Sequence, residues 1–155
     1  MPEKSLNEIP RPLRDQFEKG NAAAHRDNLE YALTIYTEVL NKEPAFYACR
    51  EALRAAQIKK SGKSSGFFKK MIGSANPMLV KGQMALRNHP AEAMSIAEQM
   101  LNSDANNASA HKLLAEGALA CDLPKTAIMS LEIARKHAPK DRDLAIKLAQ
   151  ASVLT

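Results

Sequence analysis

The stretch KKSGKSSGFFKK, residues 59–70, gathers the residue types most able to do chemistry. Its Gly62-Lys63-Ser64 matches the tail of a phosphate-binding loop, where backbone N–H groups cradle phosphate and the lysine reaches the outer oxygens. That loop needs an earlier glycine at position 57, where Gln57 stands, and it must join a strand to a helix. The residues before it read as helix, so a nucleotide site is not expected. A basic surface is the stronger chemical reading. Lys59, Lys60, Lys63, Lys69 and Lys70 suit phosphate contacts. Phe67 and Phe68 suit stacking on bases, or a dip into a lipid interface beside Met71 and Ile72. The opposing reading is a solvated connection whose phenylalanines fill a gap between helices. Both stay open at this point.

Other reactive residues do not assemble. His25, His89, His111 and His137 never fall four apart on one helix with a carboxylate, so no metal site is expected. Cys49 and Cys121 are far apart and form neither a disulfide framework nor a zinc pattern. No Ser/His/Asp or Cys/His set can be drawn, so we expect a non-catalytic protein without a cofactor.

The elements that must position these residues are helical. The chain of 155 residues fits one domain with a core of its own. It is 45% hydrophobic and 25% charged, with no apolar run of membrane-spanning length. The opening MPEKSLNEIPRP is polar and unlike a signal peptide. With two distant cysteines, this makes a cytoplasmic location the expectation. The net charge of +5 is concentrated: residues 47–73 carry seven Lys/Arg against Glu51 alone. A local patch argues for nucleic acid more weakly than a domain-wide field would.

Self-similarity organises the rest. HPAEAMSIAEQMLNSDANNASAH and LPKTAIMSLEIARKHAPKDRDLA align without gaps at an offset of 34. Ala93 falls on Ala127, Ala97 on Leu131, Met100 on Ala134 and Ala105 on Pro139. NLEYALTIYTEVLNKEPAF repeats the pattern with Ala32, Leu33, Tyr36, Val39 and Pro44. Each is preceded by another run with apolar residues at i, i+3, i+4 and i+7, which predicts a helix–turn–helix unit.

This unit resembles the tetratricopeptide repeat family. Gly20 and Ala23 match the family's small and apolar positions in the first helix; Ala32, Tyr36 and Pro44 match those of the second. The family's early Trp is absent, Lys81 stands where a small residue is usual, and Ala105 replaces a proline. The resemblance implies an all-α, right-handed α-solenoid of antiparallel helix pairs, with about nine helices. Repeats are expected at 13–46, 74–107 and 108–141, after a polar arm at 1–12. Residues 47–73 read as a degenerate repeat with a flexible linker from Ser61 to Gly66, and 142–155 as a terminal first helix without its partner. That last helix is expected to be itself the cap, to lead into a longer array, or to be covered by another subunit.

The resemblance also implies a function: a scaffold or adaptor binding a peptide or helix of a partner protein on a concave wall of first helices. That wall is expected to present Arg14, Phe17, Asn21 and His25, then Met78, Gly82, Ala85, Lys112, Glu116 and Leu119. Chaperone-binding members hold a C-terminal carboxylate with a Lys and Asn on the first wall helix and a Lys and Arg on the third. Here Phe17 replaces that first Lys and Glu116 the Arg, so chaperone tails are not expected to bind. The alternative function is a binder of nucleic acid or anionic membrane through residues 59–72.

Overall fold

The structure, a computed structural model, describes residues 2–63 and 77–155, with Lys63 described by its backbone alone. It is helical, with eight α-helices among the described residues. These are α1 (Arg11–His25), α2 (Leu29–Lys42), α3 (Tyr47–Lys63), α4 (Pro77–Asn88), α5 (Pro90–Ser103), α6 (Ala108–Ala120), α7 (Pro124–His137) and α8 (Arg142–Val153). Prolines start α5 and α7 at their first helical position, where no N–H is needed. No helix of the described residues is long and apolar enough to cross a membrane.

The sequence repeat has a backbone counterpart. The turns that end α1 and α6 each place an aspartate in left-handed conformation, Asp27 at φ 64° and Asp122 at φ 60°, a region that short polar side chains tolerate. Each turn is closed by the same six-residue bond, Asn28 N–H to Ala23 O and Leu123 N–H to Ala118 O. The second helices also end alike. Glu43, Asp104 and Ala138 donate to Val39, Met100 and Ala134, and Phe46, Asn107 and Asp141 then donate back to Glu43, Asp104 and Ala138. Three units thus share their closing turns in the register that the alignment predicts.

Neighbouring helices pack in chain order, which produces two runs. In the first, α1 to α3 enclose Ile9, Phe17, Leu33, Tyr36, Val39, Phe46 and Leu53. In the second, α4 to α8 enclose Met94, Ala97, Leu101, Leu114, Leu131 and Leu144. The runs meet where α2 and α3 lie against α5 and α3 touches α7. Tight seams inside each run depend on glycine. A Cβ on Gly20 would meet the Tyr36 ring at 2.6 Å, and one on Gly117 would meet the Pro90 carbonyl oxygen at 2.9 Å. Lys81 is exposed, and the close approach of its helix falls on the next residue, Gly82, against Leu113.

Two sequence expectations change. Ser61 to Lys63 continue α3 as helix, because Ser61 is buried and its Oγ accepts from the Ala105 N–H at 3.0 Å. The rest of that expected linker, and the expected short helix at 67–73, lie outside the described residues. The polar arm is also more than a tail. Ile9 is buried in the first core, Lys4 bridges to Phe46, and Glu3 Oε2 accepts from the Thr126 N–H at 2.6 Å. That carboxylate caps a first-turn donor of α7, whose own preceding residue Leu123 supplies no side-chain cap.

Candidate functional site

Between α1 and α3 runs a cleft of about 420 Å³. Its floor is made by small residues, Ala24, Ala52, Ala55 and Ala56, with Tyr36 below and Asn21, His25 and Lys59 among its linings. Small side chains at helical spacing are what let another backbone or side chain approach these helices closely. Asn21 is fixed there: its Oδ1 accepts from the Tyr36 hydroxyl at 2.7 Å. Burial pushes the Tyr36 phenol up to about 12, so it stays a neutral donor. His25 is exposed and Arg14 half-buried. Phe17 is not on the wall; it is buried, edge-on to Phe46 at 4.8 Å and tilted to Tyr36 at 6.0 Å.

The corresponding surface of the second run is more polar and more committed. Leu79, Gln83, Ser109, Lys112, Glu116 and Asp143 line a cleft of about 300 Å³. Lys112 Nζ pairs with Asp141 at 2.6 Å and with Asp143 at 3.7 Å, and Glu116 pairs with Lys147 at 3.1 Å. The hydrogen bond to Asp141 raises the Lys112 pKa, and the same bond lowers that of Asp141. Both expected wall charges therefore fasten α6 to α8. Met78 and Ala85 are half-buried against the core, as is Leu119, while Gly82 is buried.

The two lysines of the basic segment whose side chains are described are paired. Lys59 meets Asp27 at 3.1 Å, and Lys60 meets Glu30 at 2.9 Å while also donating to the Asn102 carbonyl at 3.3 Å. Phe67, Phe68, Lys69 and Lys70 lie outside the described residues, as does the Lys63 side chain. Arg50 and Arg54 are not surface charges at all. They are 2% and 3% exposed and close on Glu98 of α5, which is 2% exposed. Arg50 Nη1 reaches Glu98 Oε2 at 2.9 Å; Arg54 donates to Oε1 at 2.7 Å and to Oε2 at 3.0 Å. Gln57 donates to Glu98 Oε1 at 3.1 Å and to Asn102 at 2.8 Å, and its own Oε1 accepts from Arg54. Burial alone would raise the Glu98 pKa; the Arg54 and Arg50 charges outweigh it and bring it down to about 2.

Sequence reasoning missed this cluster. Its signal is there: Arg50, Arg54, Gln57 and Ser61 recur at i, i+4, i+7 and i+11, a polar stripe with the spacing of a buried face. Below it, His111 is fully buried and its Nε2 lies 2.7 Å from the Ala105 carbonyl oxygen, so that nitrogen carries the proton. Nδ1 has no partner among the described residues. Burial first, and then the Arg54 charge, lower the His111 pKa to about 4. Ala105 thus uses both backbone groups, which explains the missing repeat proline: proline has no N–H to give Ser61.

Searches of protein-family models, of curated protein sequences and of solved structures found no match to this chain.

Proposed function

We propose that the chain is a non-catalytic protein-interaction module, a right-handed tetratricopeptide-like solenoid that holds a peptide or helix of a partner against its first helices. The observation that carries this reading is the alanine-floored cleft between α1 and α3. It is concave and mostly apolar, with a few placed polar groups, as a recognition groove requires. The in-register turns support the repeat architecture on which the reading depends. The proposal does not extend to chaperone tails: Lys112 is engaged by two aspartates, and Glu116, itself paired with Lys147, stands where the clamp's Arg is expected. The ion pairs of Lys59 and Lys60 count against the nucleic-acid or membrane alternative, since each would have to be broken or shared.

A photo-crosslinking residue at Ala55 tests the proposal against the same residue at exposed Glu132 on α7. The expected outcome is one discrete protein adduct from position 55, retained after nuclease treatment and at moderate salt. Equal adducts from both positions, or adducts lost with salt and nuclease, would overturn it.

A further inference from the structure

The offset of 34 that relates the repeats places α8 on α6, with Arg142 on Ala108. The two helices begin alike: Asn107 and Asp141 each cap the first turn with a side-chain oxygen. They differ in what covers them. In α6, His111, Ala115 and Ala118 are fully buried, with α7 packed along the helix and α8 fastened beside it. The counterparts in α8, Ala145, Ala149 and Ser152, are exposed. Ile146 and Val153 extend the same face and are 57% and 84% exposed. On a helix Ala145, Ile146, Ala149 and Val153 fall in one row, turned away from buried Leu144 and Ala151. Thus α8 carries an apolar face that its counterpart buries and that stands bare among the described residues.

We propose that a second copy of this chain covers this face, in a two-fold dimer whose α8 helices pack antiparallel. The row is its own complement. Small Ala149 lies at its middle, with Ala145 four residues before it and Val153 four residues after. A two-fold axis beside Ala149 lays that residue on its equivalent and sets Val153 of each copy over Ala145 of the other, large onto small. The charges beside the row follow the same symmetry. A cleft of about 390 Å³ between α7 and α8 is lined by Glu132, Arg135, Lys136, Pro139 and Leu148. Its three charged side chains are exposed, and none has an ion-pair partner among the described residues. Glu132 precedes the two bases by one turn of α7. An antiparallel copy therefore brings Glu132 of each chain within reach of Arg135 and Lys136 of the other, the self-complementarity that a two-fold interface requires. The dimer is independent of the groove between α1 and α3 and of any partner held there.

One helix face and one cleft make a small interface, so association in the micromolar range is expected. Sedimentation equilibrium of the full chain, from micromolar to millimolar concentration, measures it. The expected result is a monomer–dimer equilibrium with no larger species, because a two-fold interface closes on itself. Ala149→Arg alters an exposed residue at the centre of the row; it is expected to leave a monomer whose melting temperature at low concentration is unchanged. Glu132→Arg is expected to weaken the dimer at least about tenfold by setting like charges together, and adding Arg135→Glu and Lys136→Glu to restore it. In a Cys121→Ser background, oxidised Ala149→Cys is expected to form a disulfide-linked dimer, and Ser109→Cys on α6 none. A photo-crosslinker at Glu132 then joins two copies, an adduct of twice the chain's mass that a partner in the groove does not give. A chain that stays monomeric, a dimer that survives Ala149→Arg, or a charge swap that restores nothing would each overturn the proposal. The first of these would assign the bare face to a helix of another sequence.

Discussion

Helix α5 presents two faces to two neighbours. Toward α6 it offers Met94 and the Pro90 carbonyl, and Gly117 lets the backbones close until no side chain fits between them. Toward α3 it offers Glu98 and Asn102, and the opposing stripe is two arginines, a glutamine and a serine. The first seam joins helices adjacent in the chain; the second joins the two runs. Apolar contact is non-directional and tolerates small shifts. The charged cluster places its hydrogen-bonded atoms at fixed positions, and every misalignment strands a buried charge. Where the repeat pattern is interrupted, the molecule uses directional polar contacts to set how the second run sits against the first.

The largest test of this contrast is Glu98→Ala. Leaving two guanidiniums buried without their carboxylate is expected to cost about 3–5 kcal/mol, read from urea unfolding. Replacing all three with Arg50→Met, Glu98→Leu and Arg54→Met is expected to cost far less, since similar apolar replacements of buried ion clusters are near neutral. A triple variant as unstable as the single one would mean that the cluster holds the runs together by attraction rather than by geometry.

Acid separates the seams next. His111 is neutral when folded, with its pKa at about 4 against an ordinary 6.5, so the unfolded chain binds more protons between those values. Stability therefore falls as pH drops from 6.5 to 4, by roughly 3 kcal/mol. Glu98 has a depressed folded pKa, so its contribution is present above 4.5 and is lost as pH falls toward 2. Unfolding measured across pH in His111→Gln should flatten the upper window and leave the lower one. An unaltered upper window in that variant would falsify the assignment to His111.

On the apolar seam, Gly117→Ala is expected to cost about 1–3 kcal/mol, because the added methyl meets a backbone oxygen that cannot swing aside. Its melting temperature against wild type gives the number. Ala105→Pro should cost about 1 kcal/mol by removing the N–H that Ser61 accepts. In Ser61→Ala, which has already lost that bond, the same change should cost less. The smallest effect belongs to Lys59→Ala. Its pair with Asp27 is half exposed, and loss of such a pair is worth at most about 1 kcal/mol and less at high salt.

The helix pairs, their turns and their phase were legible in the sequence, because apolar spacing and the Asp, Asn and Pro punctuation are local signals. Lys81 and Ala105 looked like departures, and each has a local structural reason in Gly82 and Ser61. The ionic seam was not legible. Arg50 and Arg54 read as surface charge because composition records polarity but not partner, and Glu98 lies 48 and 44 residues away. Phe17 was placed on the wall by its position in the repeat. Its ring instead turns inward to Phe46, in the turn before α3, and to Tyr36 of α2. Lys112 and Glu116 were assigned to the wall from their place within one repeat, and that pattern does not show which side chains of the next helix and its N-cap, Asp141, Asp143 and Lys147, pair with them.

Glu3 and Thr126 are 123 residues apart in the chain, yet one caps the helix of the other. On a ribosome adding roughly 5–20 residues per second, the arm emerges many seconds before the helix end that receives it exists. A segment made early is thus seated late. Until then Ile9 and the strap around Ala45 and Phe46 can form, but the clasp across the two runs cannot, and assembly is completed backwards, from the seventh helix to the third residue.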